Sequence, residues 1–294
     1  RKYFQSNRVS FMLKRLKNEV VHSVWAMWHQ MQEGDFVQTY TEKGFRGNDK
    51  EWESMCIPFD EDAKICLNGV IDRVDLCSLP GEELIKIIDY KSSDSQDLLL
   101  AKVYYGLQMQ LLTYLEAAKE MVEKEHKGKE AVPAAMLYYA IKEKNLDWKP
   151  ESEEEYEKRV LDSMKCKGYV NEEPEIIGHL DKSVVNGGEL IPGQKSGVVP
   201  VAVDKKGLLK KNSGALSTKD FEILIAHTKE KMKECGKAIL DGKIEAIPYV
   251  YEDNDGCTYC PYGSVCGHES KKDGVREMKK MSDDEVWEAL YGDD

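Results

Sequence analysis

Long hydrophobic runs are missing from this sequence, which excludes a protein that spans a membrane through helices. No stretch approaches the roughly 20 apolar residues that such a helix needs, and 41% of the residues are hydrophobic beside 33% that are charged. A secretory signal peptide is also missing, because the basic segment Arg1 to Arg15 lacks an apolar core and a cleavage site. The sequence therefore predicts a globular, cytoplasmic protein without a membrane partner.

An initiator Met is absent as well, and the sequence begins with a polar lead-in to a predicted helix. We therefore expect a fragment of a longer chain. A length of 294 residues suits one large domain or two small ones. We predict a single domain with a core at about 1–145, an elaboration of that core at about 146–216, a helix and cysteine segment at 217–270, and a charged tail at 271–294.

Positive charge is scarce: the sequence has 42 Lys and Arg but 54 Asp and Glu, which gives a net charge of −12. A protein that grips DNA by its phosphates alone normally has a basic surplus. The deficit argues against nucleic acid, or for DNA that is held by a local patch, by metal ions or by a partner. One such patch is formed by Lys205, Lys206, Lys210 and Lys211, for which a solvated loop and a DNA contact are equally open interpretations.

Eight cysteines are too few, in so large and charged a chain, for a disulfide scaffold. Three of them, Cys257, Cys260 and Cys266, form a C-x₂-C-x₅-C pattern that favours metal ligation. They are one ligand short of four, so His268 would complete a Zn²⁺ site or a distant Cys would complete a [4Fe–4S] cluster. The five scattered ones are predicted to be small, buried side chains: Cys56, Cys66, Cys77, Cys166 and Cys235.

Hydrophobic periodicity predicts an α/β core with a mixed sheet and helices against it. The predicted helices cover 8–33, about 98–124, 153–164 and 218–240. The predicted strands cover 36–45, 54–59, 63–76, 83–90 and 134–141, with a turn at Pro80-Gly81.

Charged side chains stand at the ends of two apolar strands. Asp89 and Lys91 alternate with Tyr90 and so share one face of their strand. Asp72 ends a neighbouring apolar run, and the Pro80-Gly81 turn would bring that run back beside Asp89. Charges at a buried strand end are costly unless they are paired or functional.

This set suits the hydrolysis of phosphodiesters. Two carboxylates and the backbone carbonyl of Tyr90 are hard oxygen ligands for Mg²⁺ or Mn²⁺, and such ions activate water and stabilise charge on a phosphate. Lys91 would orient the water or stabilise developing negative charge. On spacing alone, a structural Asp–Lys ion pair is an equally good interpretation.

The order of motifs is more specific. Gly69-x-x-Asp72 is followed by Asp89-Tyr-Lys91-Ser and then by Gln110-x-x-x-Tyr114, whose two side chains share a helix face. This arrangement resembles the RecB-like branch of the PD-(D/E)XK nucleases, which have a restriction-endonuclease-like core. The resemblance implies that Asp72 and Asp89 bind metal, that Lys91 is catalytic, and that Gln110 and Tyr114 support the site and contact DNA. Glu42 is a weaker match to a Glu that is often found ahead of the strands in this family. The family's upstream Gly-x-x-x-His motif has no match in this sequence.

The cysteine pattern is similar to that of the iron–sulfur nucleases of this branch. The resemblance makes Cys257, Cys260 and Cys266 three ligands of a [4Fe–4S] cluster whose fourth Cys would lie before Arg1, so that the cluster would be incomplete here. Within the branch, the chain resembles the nuclease domain of the AddB subunits of helicase–nucleases. That implies an exonuclease for double-strand break repair, acting on a single DNA strand beside an AddA-like subunit. The alternatives are a stand-alone exonuclease of the CRISPR-adaptation type and a catalytically idle DNA-binding or scaffold module.

Overall fold

The computed structural model describes residues 6–47, 52–92, 97–141, 152–269 and 274–292. Ser93 of the Asp-Tyr-Lys motif and the predicted start of the elaboration at 146 lie outside these residues. The helices are α1 (Asn7–Gln32), α2 (Leu100–Tyr104), α3 (Gln110–Glu125), α4 (Glu153–Ser163), α5 (Pro174–Leu180), α6 (Thr218–Leu240), α7 (Gly263–Cys266) and α8 (Asp283–Gly292). The strands are β1 (Val37–Phe45), β2 (Met55–Pro58), β3 (Lys64–Leu67), β4 (Gly69–Leu79), β5 (Glu82–Lys91), β6 (Glu130–Ala140), β7 (Lys167–Asn171), β8 (Val185–Asn186), β9 (Glu189–Leu190), β10 (Ala215–Leu216), β11 (Tyr249–Tyr251), β12 (Asn254–Asp255) and β13 (Arg276–Met278).

The chain folds into two compact units, and each is assembled from separate stretches of sequence. The first consists of Arg1–Met55, Leu67–Leu98 and Gln110–Ile225, and the second of Cys56–Cys66, Leu99–Met109 and Ala226–Asp294. The predicted division of a single domain into four consecutive parts stays a prediction.

A six-stranded sheet in the order β1-β4-β5-β6-β7-β10 forms the centre of the first unit. The pairs β1–β4, β4–β5 and β6–β7 are antiparallel, whereas β5–β6 and β7–β10 are parallel. The parallel pair β5–β6 is connected through the segment that contains α3, which packs against both strands. The predicted α/β core with a mixed sheet is confirmed.

The β4–β5 hairpin is the element that carries the predicted site. Its turn contains Gly81 with a φ of +85°, a left-handed conformation that glycine adopts without strain. Successive side chains point to opposite faces of the hairpin, and apolar residues stand on both faces. One face packs against α3, and the other packs against a second apolar layer. That second layer includes Cys77, Leu84 and Ile88 of the hairpin, packed with residues of β6, β7 and α5.

Helix α1 is held to the first unit through its C-terminal half. Ser23 is buried there, donates a hydrogen bond to the carbonyl of Ile141 at 2.7 Å, and accepts one on its own carbonyl from the Tyr139 hydroxyl at 3.1 Å. The apolar side chains Phe11 and Leu16 of the N-terminal half are exposed. The helix extends as predicted, but its buried residues, Ser23 and Ala26, both lie in the C-terminal half.

The helix predicted at about 98–124 is in fact two helices. It stops after Tyr104 and restarts at Gln110. Gly106 between them has a φ of +75°, which a right-handed helix cannot accommodate. The prediction of one continuous helix was therefore wrong, and the break makes Gln110 the first residue of α3.

The second unit contains a disulfide that the sequence did not suggest. Cys56 and Cys66, predicted as isolated buried residues, form this bond across the β2–β3 hairpin. Cys235, on α6, is exposed rather than buried. For these three cysteines the prediction was wrong, whereas Cys77 and Cys166 of the first unit are buried free thiols as predicted.

Helix α6 ends in the second unit, where Tyr104 and His227 stack with their ring centroids 5.2 Å apart. Nε2 of His227 lies 2.8 Å from the Tyr104 carbonyl, and the ring of Tyr105 lies 6.2 Å from that of Tyr251. A small sheet in the order β12-β11-β13 follows. Among the described residues, no helix is both long enough and apolar enough to cross a membrane.

Candidate active site

Asp72 and Asp89 lie beside each other because the β4–β5 hairpin sets their register. The strand pairing reaches Arg73 opposite Ile88, and one further step places Asp72 opposite Asp89. The backbone N–H of Tyr90 donates a hydrogen bond of 2.8 Å to Oδ2 of Asp72. A single hairpin therefore fixes both carboxylates that the sequence predicted to meet.

Asp89 is buried, and its charge is poorly compensated. Nζ of Lys91 approaches its Oδ2 to 2.5 Å, yet within the described chain no donor meets this buried oxygen in hydrogen-bond geometry. Burial raises the pKa of Asp89, Lys91 opposes that rise, and the nearby charge of Asp72 adds to it. A carboxylate in this state has the capacity to accept a cation.

Lys91 is held from the side of α3. Oε1 of Gln110 accepts a hydrogen bond from its Nζ at 3.2 Å, and Nε2 of Gln110 donates to the Tyr114 hydroxyl at 2.9 Å. The predicted spacing of four residues on one helix face therefore produces a direct contact. The chain Lys91–Gln110–Tyr114 fixes the direction of the ammonium group.

A glycine at the start of β4 makes room for the Phe45 ring of β1, which in turn packs against Tyr114 of α3. A Cβ on Gly69 would lie 2.7 Å from the Phe45 ring and 3.4 Å from the Tyr114 ring. Phe45 and Tyr114 themselves meet edge to face, with centroids 6.0 Å apart. The glycine of the Gly-x-x-Asp motif is thus needed for packing next to the site.

Tyr138 is a site residue that sequence reasoning missed. It lies on β6 directly beside Asp89, and Nζ of Lys91 stands 5.1 Å above its ring centroid. Burial raises the pKa of Tyr138 to about 12, with Asp89 adding to the rise. Its only signal in the sequence is its place near the end of a predicted strand.

The backbone places Glu42 of β1 at the same level of the sheet as Asp72 of β4. The β1–β4 register runs from Thr41 opposite Arg73 to Lys43 opposite Ile71, which puts Glu42 level with Asp72. Glu42 is exposed and has a φ of +47°, an uncommon conformation for a residue with a side chain. Its role in the site stays a prediction.

The opposite face of the hairpin carries a second ionic group that the sequence did not suggest. Asp75 receives two hydrogen bonds from Arg73, at 2.6 and 2.7 Å, and pairs with Lys86 at 2.9 Å. Burial alone would raise the pKa of Asp75, but Lys86 and Arg73 outweigh it and lower that pKa. This group is fully compensated and belongs to the core.

The family model of the PD-(D/E)XK nuclease superfamily matches residues 2–267. The chain belongs to this superfamily. It is 32% identical to the B subunit of the ATP-dependent helicase/deoxyribonuclease of Thermoanaerobacter sp. (strain X514) over 288 residues, or 97% of this chain and 24% of that protein. It is 35% identical to the same subunit of Caldanaerobacter subterraneus subsp. tengcongensis over 271 residues, or 92% of this chain and 22% of that protein. The chain thus spans about a quarter of the length of these curated relatives.

The candidate site contains oxygen donors of the type that a hard divalent cation prefers. Asp72 and Asp89 offer adjacent carboxylates, and Oδ2 of Asp89 is a buried acceptor without a directed donor. The Tyr90 ring turns away to meet Tyr139 at 6.0 Å; its carbonyl as a third ligand stays a prediction. In the described part of the chain, no three His, Cys, Asp or Glu side chains are grouped as ligands of one metal ion. The two carboxylates fit a metal that completes its shell with water and substrate oxygens.

The three C-terminal cysteines of this nuclease lie in the second unit. Cys257, Cys260 and Cys266 are free and exposed, and the N–H of Cys260 donates to the carbonyl of Cys257 at 3.0 Å. Desolvation raises the pKa of Cys257, and Asp255 and the other two thiols add to that rise. The three thiols are near enough to influence one another, but among the described residues they do not form a group of three metal ligands. Their ligation of Zn²⁺ or a [4Fe–4S] cluster, with or without His268, stays a prediction.

Proposed function

We propose that this chain is a deoxyribonuclease domain that depends on Mg²⁺ or Mn²⁺ and cuts a single DNA strand. The observation that carries the proposal is the register of the β4–β5 hairpin, which sets the carboxylates of Asp72 and Asp89 side by side next to Lys91, so that the pKa of Asp89 stays raised although Nζ of Lys91 lies 2.5 Å from its Oδ2. An idle carboxylate would be expected to be compensated as Asp75 is. A cation between Asp72 and Asp89 supplies the missing compensation.

The residues have separate roles in this proposal. Asp72, Asp89 and the Tyr90 carbonyl would hold the metal, which when bound would supply activation of water and stabilisation of charge on the scissile phosphate. Lys91 directs its ammonium group at the phosphate or the attacking water, and Gln110 keeps it in that direction. Tyr114 orients Gln110 through its hydroxyl and lies where a DNA strand would pass, and Glu42 would hold a further water near Asp72.

The names of the similar proteins support a setting for this domain. They are B subunits of ATP-dependent helicase/deoxyribonucleases, so we propose a DNA exonuclease for recombinational repair that works beside an AddA-like helicase–nuclease subunit in the cytoplasm. The acidic net charge of −12 agrees with DNA delivered by a partner. We further propose that Cys257, Cys260 and Cys266 contribute to a [4Fe–4S] cluster in the full-length protein.

Two alternatives make different predictions about the metal and the partner. A stand-alone exonuclease of the CRISPR-adaptation type would cut without a helicase subunit, and an idle scaffold would bind no metal at Asp72 and Asp89. The Lys91–Gln110–Tyr114 chain favours an enzyme, because a scaffold has no need of an oriented ammonium group.

The test compares the wild-type chain with Asp89→Ala on a labelled single-stranded oligonucleotide in Mg²⁺ or Mn²⁺. We expect the variant to cut ~10²–10³-fold more slowly, the loss typical of removing a group that stabilises transition-state charge. Glu189→Ala, which removes an exposed carboxylate of β9, is the control and should cut normally. Binding of Mn²⁺, followed by its electron spin resonance, gives a second readout. Equal cutting by both proteins, or no Mn²⁺ bound by the wild type, would contradict the proposal.

A further inference from the structure

A lysine-rich groove lies in the first unit, away from the carboxylates. It has a volume of about 310 Å³, and its basic side chains are Lys165, Lys167 and Lys195. Asp162 is the one acidic residue among its lining residues. Since the whole chain carries a charge of −12, three lysines in one groove form a local basic surface of the kind that an acidic chain needs in order to hold DNA.

The sheet register connects this groove to the active site. Asp89 pairs with Tyr138 on β6, and Tyr138 pairs with Lys167 on β7. Neighbouring strands lie about 4.8 Å apart, so Lys167 stands roughly 10 Å from Asp89 along the row. A nucleic acid backbone that leaves the carboxylates along this row therefore reaches the groove within a few nucleotides.

The charges in the groove are unfavourably close in the absence of an anion. Lys165 donates a hydrogen bond to the carbonyl of Ser196 at 2.8 Å, which holds its ammonium group in a half-buried position. Burial and, to a smaller extent, the neighbouring Lys195 lower the pKa of Lys165 to about 8, against the opposing charges of Asp162 and Asp181. An anion bound between Lys165 and Lys195 would relieve both effects.

The acidic partner of Lys167 can be displaced. Asp97 pairs with Lys167 at 2.9 Å, but the Asp97 side chain is 61% exposed. Exposed ion pairs of this kind contribute little free energy, so a phosphate competes with Asp97 for Lys167. Asp97, Asp162 and Asp181 are acidic groups that oppose a bound anion.

The lining also shows which part of a nucleic acid the groove accepts. Beside its polar residues it contains Pro200, Val201 and Ala202, and it has no aromatic side chain among its lining residues. Bases of single-stranded DNA normally stack on aromatic rings, which are missing here. The groove is therefore suited to phosphates and not to bases.

We propose that this lysine groove binds the phosphate backbone of the DNA strand whose scissile phosphate lies at Asp72 and Asp89. The proposal rests on the proposed nuclease function for the direction of the strand. It also assigns a role to the segment between α4 and β10, which would extend the DNA-binding surface of the sheet.

The test separates binding from cutting. Affinity for a fluorescein-labelled 20-nucleotide oligothymidylate is measured by anisotropy in EDTA between 50 and 200 mM salt. Lys165→Met/Lys195→Met keeps side-chain bulk while it removes two charges. Lys124→Met/Lys127→Met removes two exposed charges at the turn that ends α3, outside the groove, as the matched control. We expect the groove variant to bind about tenfold more weakly, with the slope of log K against log salt reduced by about 1.4, while the turn variant changes by less than about twofold.

A minimal substrate reports on the active site alone. Thymidine 5′-monophosphate p-nitrophenyl ester is too short to reach the groove, so the groove variant should hydrolyse it at the wild-type rate. Failure of the wild type to hydrolyse it would count against the proposed function, while the anisotropy would still test the groove. Unchanged affinity and salt slope in a folded groove variant, an equal loss in the turn variant, or no salt-dependent binding by the wild type would overturn the proposal.

Discussion

On one face of the β4–β5 hairpin, Asp75 accepts hydrogen bonds from Arg73 and pairs with Lys86, while on the other face Asp89 keeps a buried oxygen without a directed donor. Both carboxylates are almost fully buried. The pKa of Asp75 is nevertheless lowered, because its two cations outweigh burial, and the pKa of Asp89 is raised, because burial and Asp72 outweigh Lys91. Both carboxylates are buried, and they differ in compensation: two cations act on Asp75, whereas Asp89 has Lys91 on one side and the charge of Asp72 on the other.

This difference separates a structural ionic group from a functional one. A compensated group contributes to the free energy of folding only as an intact set, since removal of one member leaves the others charged and buried. An undercompensated carboxylate costs stability in the free protein and regains it when a ligand binds. Variants on the two faces should therefore change the free energy of unfolding in opposite directions.

The largest effect on stability is expected from Asp75→Asn. It leaves the charges of Arg73 and Lys86 without a carboxylate, so we expect the free energy of unfolding at pH 7 to fall by about 3–5 kcal/mol. Denaturant unfolding followed by circular dichroism measures it. Glu53→Gln, which breaks the exposed pair with Lys124, is the control and should change stability by less than about 0.5 kcal/mol.

The pH dependence gives a second check on Asp75. Because its pKa in the folded protein lies below the ordinary value of 3.8, its contribution is fully present above that value and is lost as the pH falls through the folded pKa. The gap in stability between wild type and Asp75→Asn should therefore narrow below about pH 4. A gap that stays constant down to pH 3 would show that packing, and not charge, explains the loss.

The sequence predicted the parts of the site that depend on short-range geometry. The Pro80-Gly81 turn brings Asp72 beside Asp89, and a spacing of four residues brings Gln110 to Tyr114. Helix α4 likewise begins at Glu153 as predicted, directly after Ser152, whose capping box with Glu155 is complete. Each of these depends on residues close together in sequence, for which periodicity and turn chemistry are sufficient.

The features that the sequence did not reveal depend on which strands pair and in which register. Tyr138 reaches Asp89 through a parallel pairing of strands that lie almost fifty positions apart, and the Cys56–Cys66 bond depends on the register of a hairpin. Neither has a local pattern that differs from an ordinary buried residue. The break at Gly106 could have been predicted, since an isolated glycine within a helical pattern weakens the case for a continuous helix. The helical periodicity on both sides of Gly106 nevertheless favoured a single helix.

A smaller effect is expected at Tyr138, on the functional face. Tyr138→Leu removes the ring below Lys91 and should lower kcat about tenfold with little change in KM, because a contact between a cation and an aromatic ring is worth ~1–2 kcal/mol when shielded from water. Tyr138→Phe keeps the ring and should restore kcat to within about threefold of the wild type. If both variants lost the same activity, the hydroxyl would be the important group and the role of the ring would be refuted.

The smallest effect on stability, and the one with the opposite sign, is expected from Asp89→Asn. Because the pKa of Asp89 is raised, the folded protein binds a proton on this carboxyl more tightly than the unfolded chain does. The wild type therefore loses stability as the pH rises from 3.8, the ordinary value, through the pKa of the folded protein. The variant lacks this loss and, in EDTA at pH 7, should be more stable by about 1 kcal/mol. Saturating Mg²⁺ should reverse the order, because the metal stabilises only the protein that binds it. A variant less stable than the wild type in EDTA would place Asp89 among compensated groups such as Asp75 and remove the physical reason to assign it a metal.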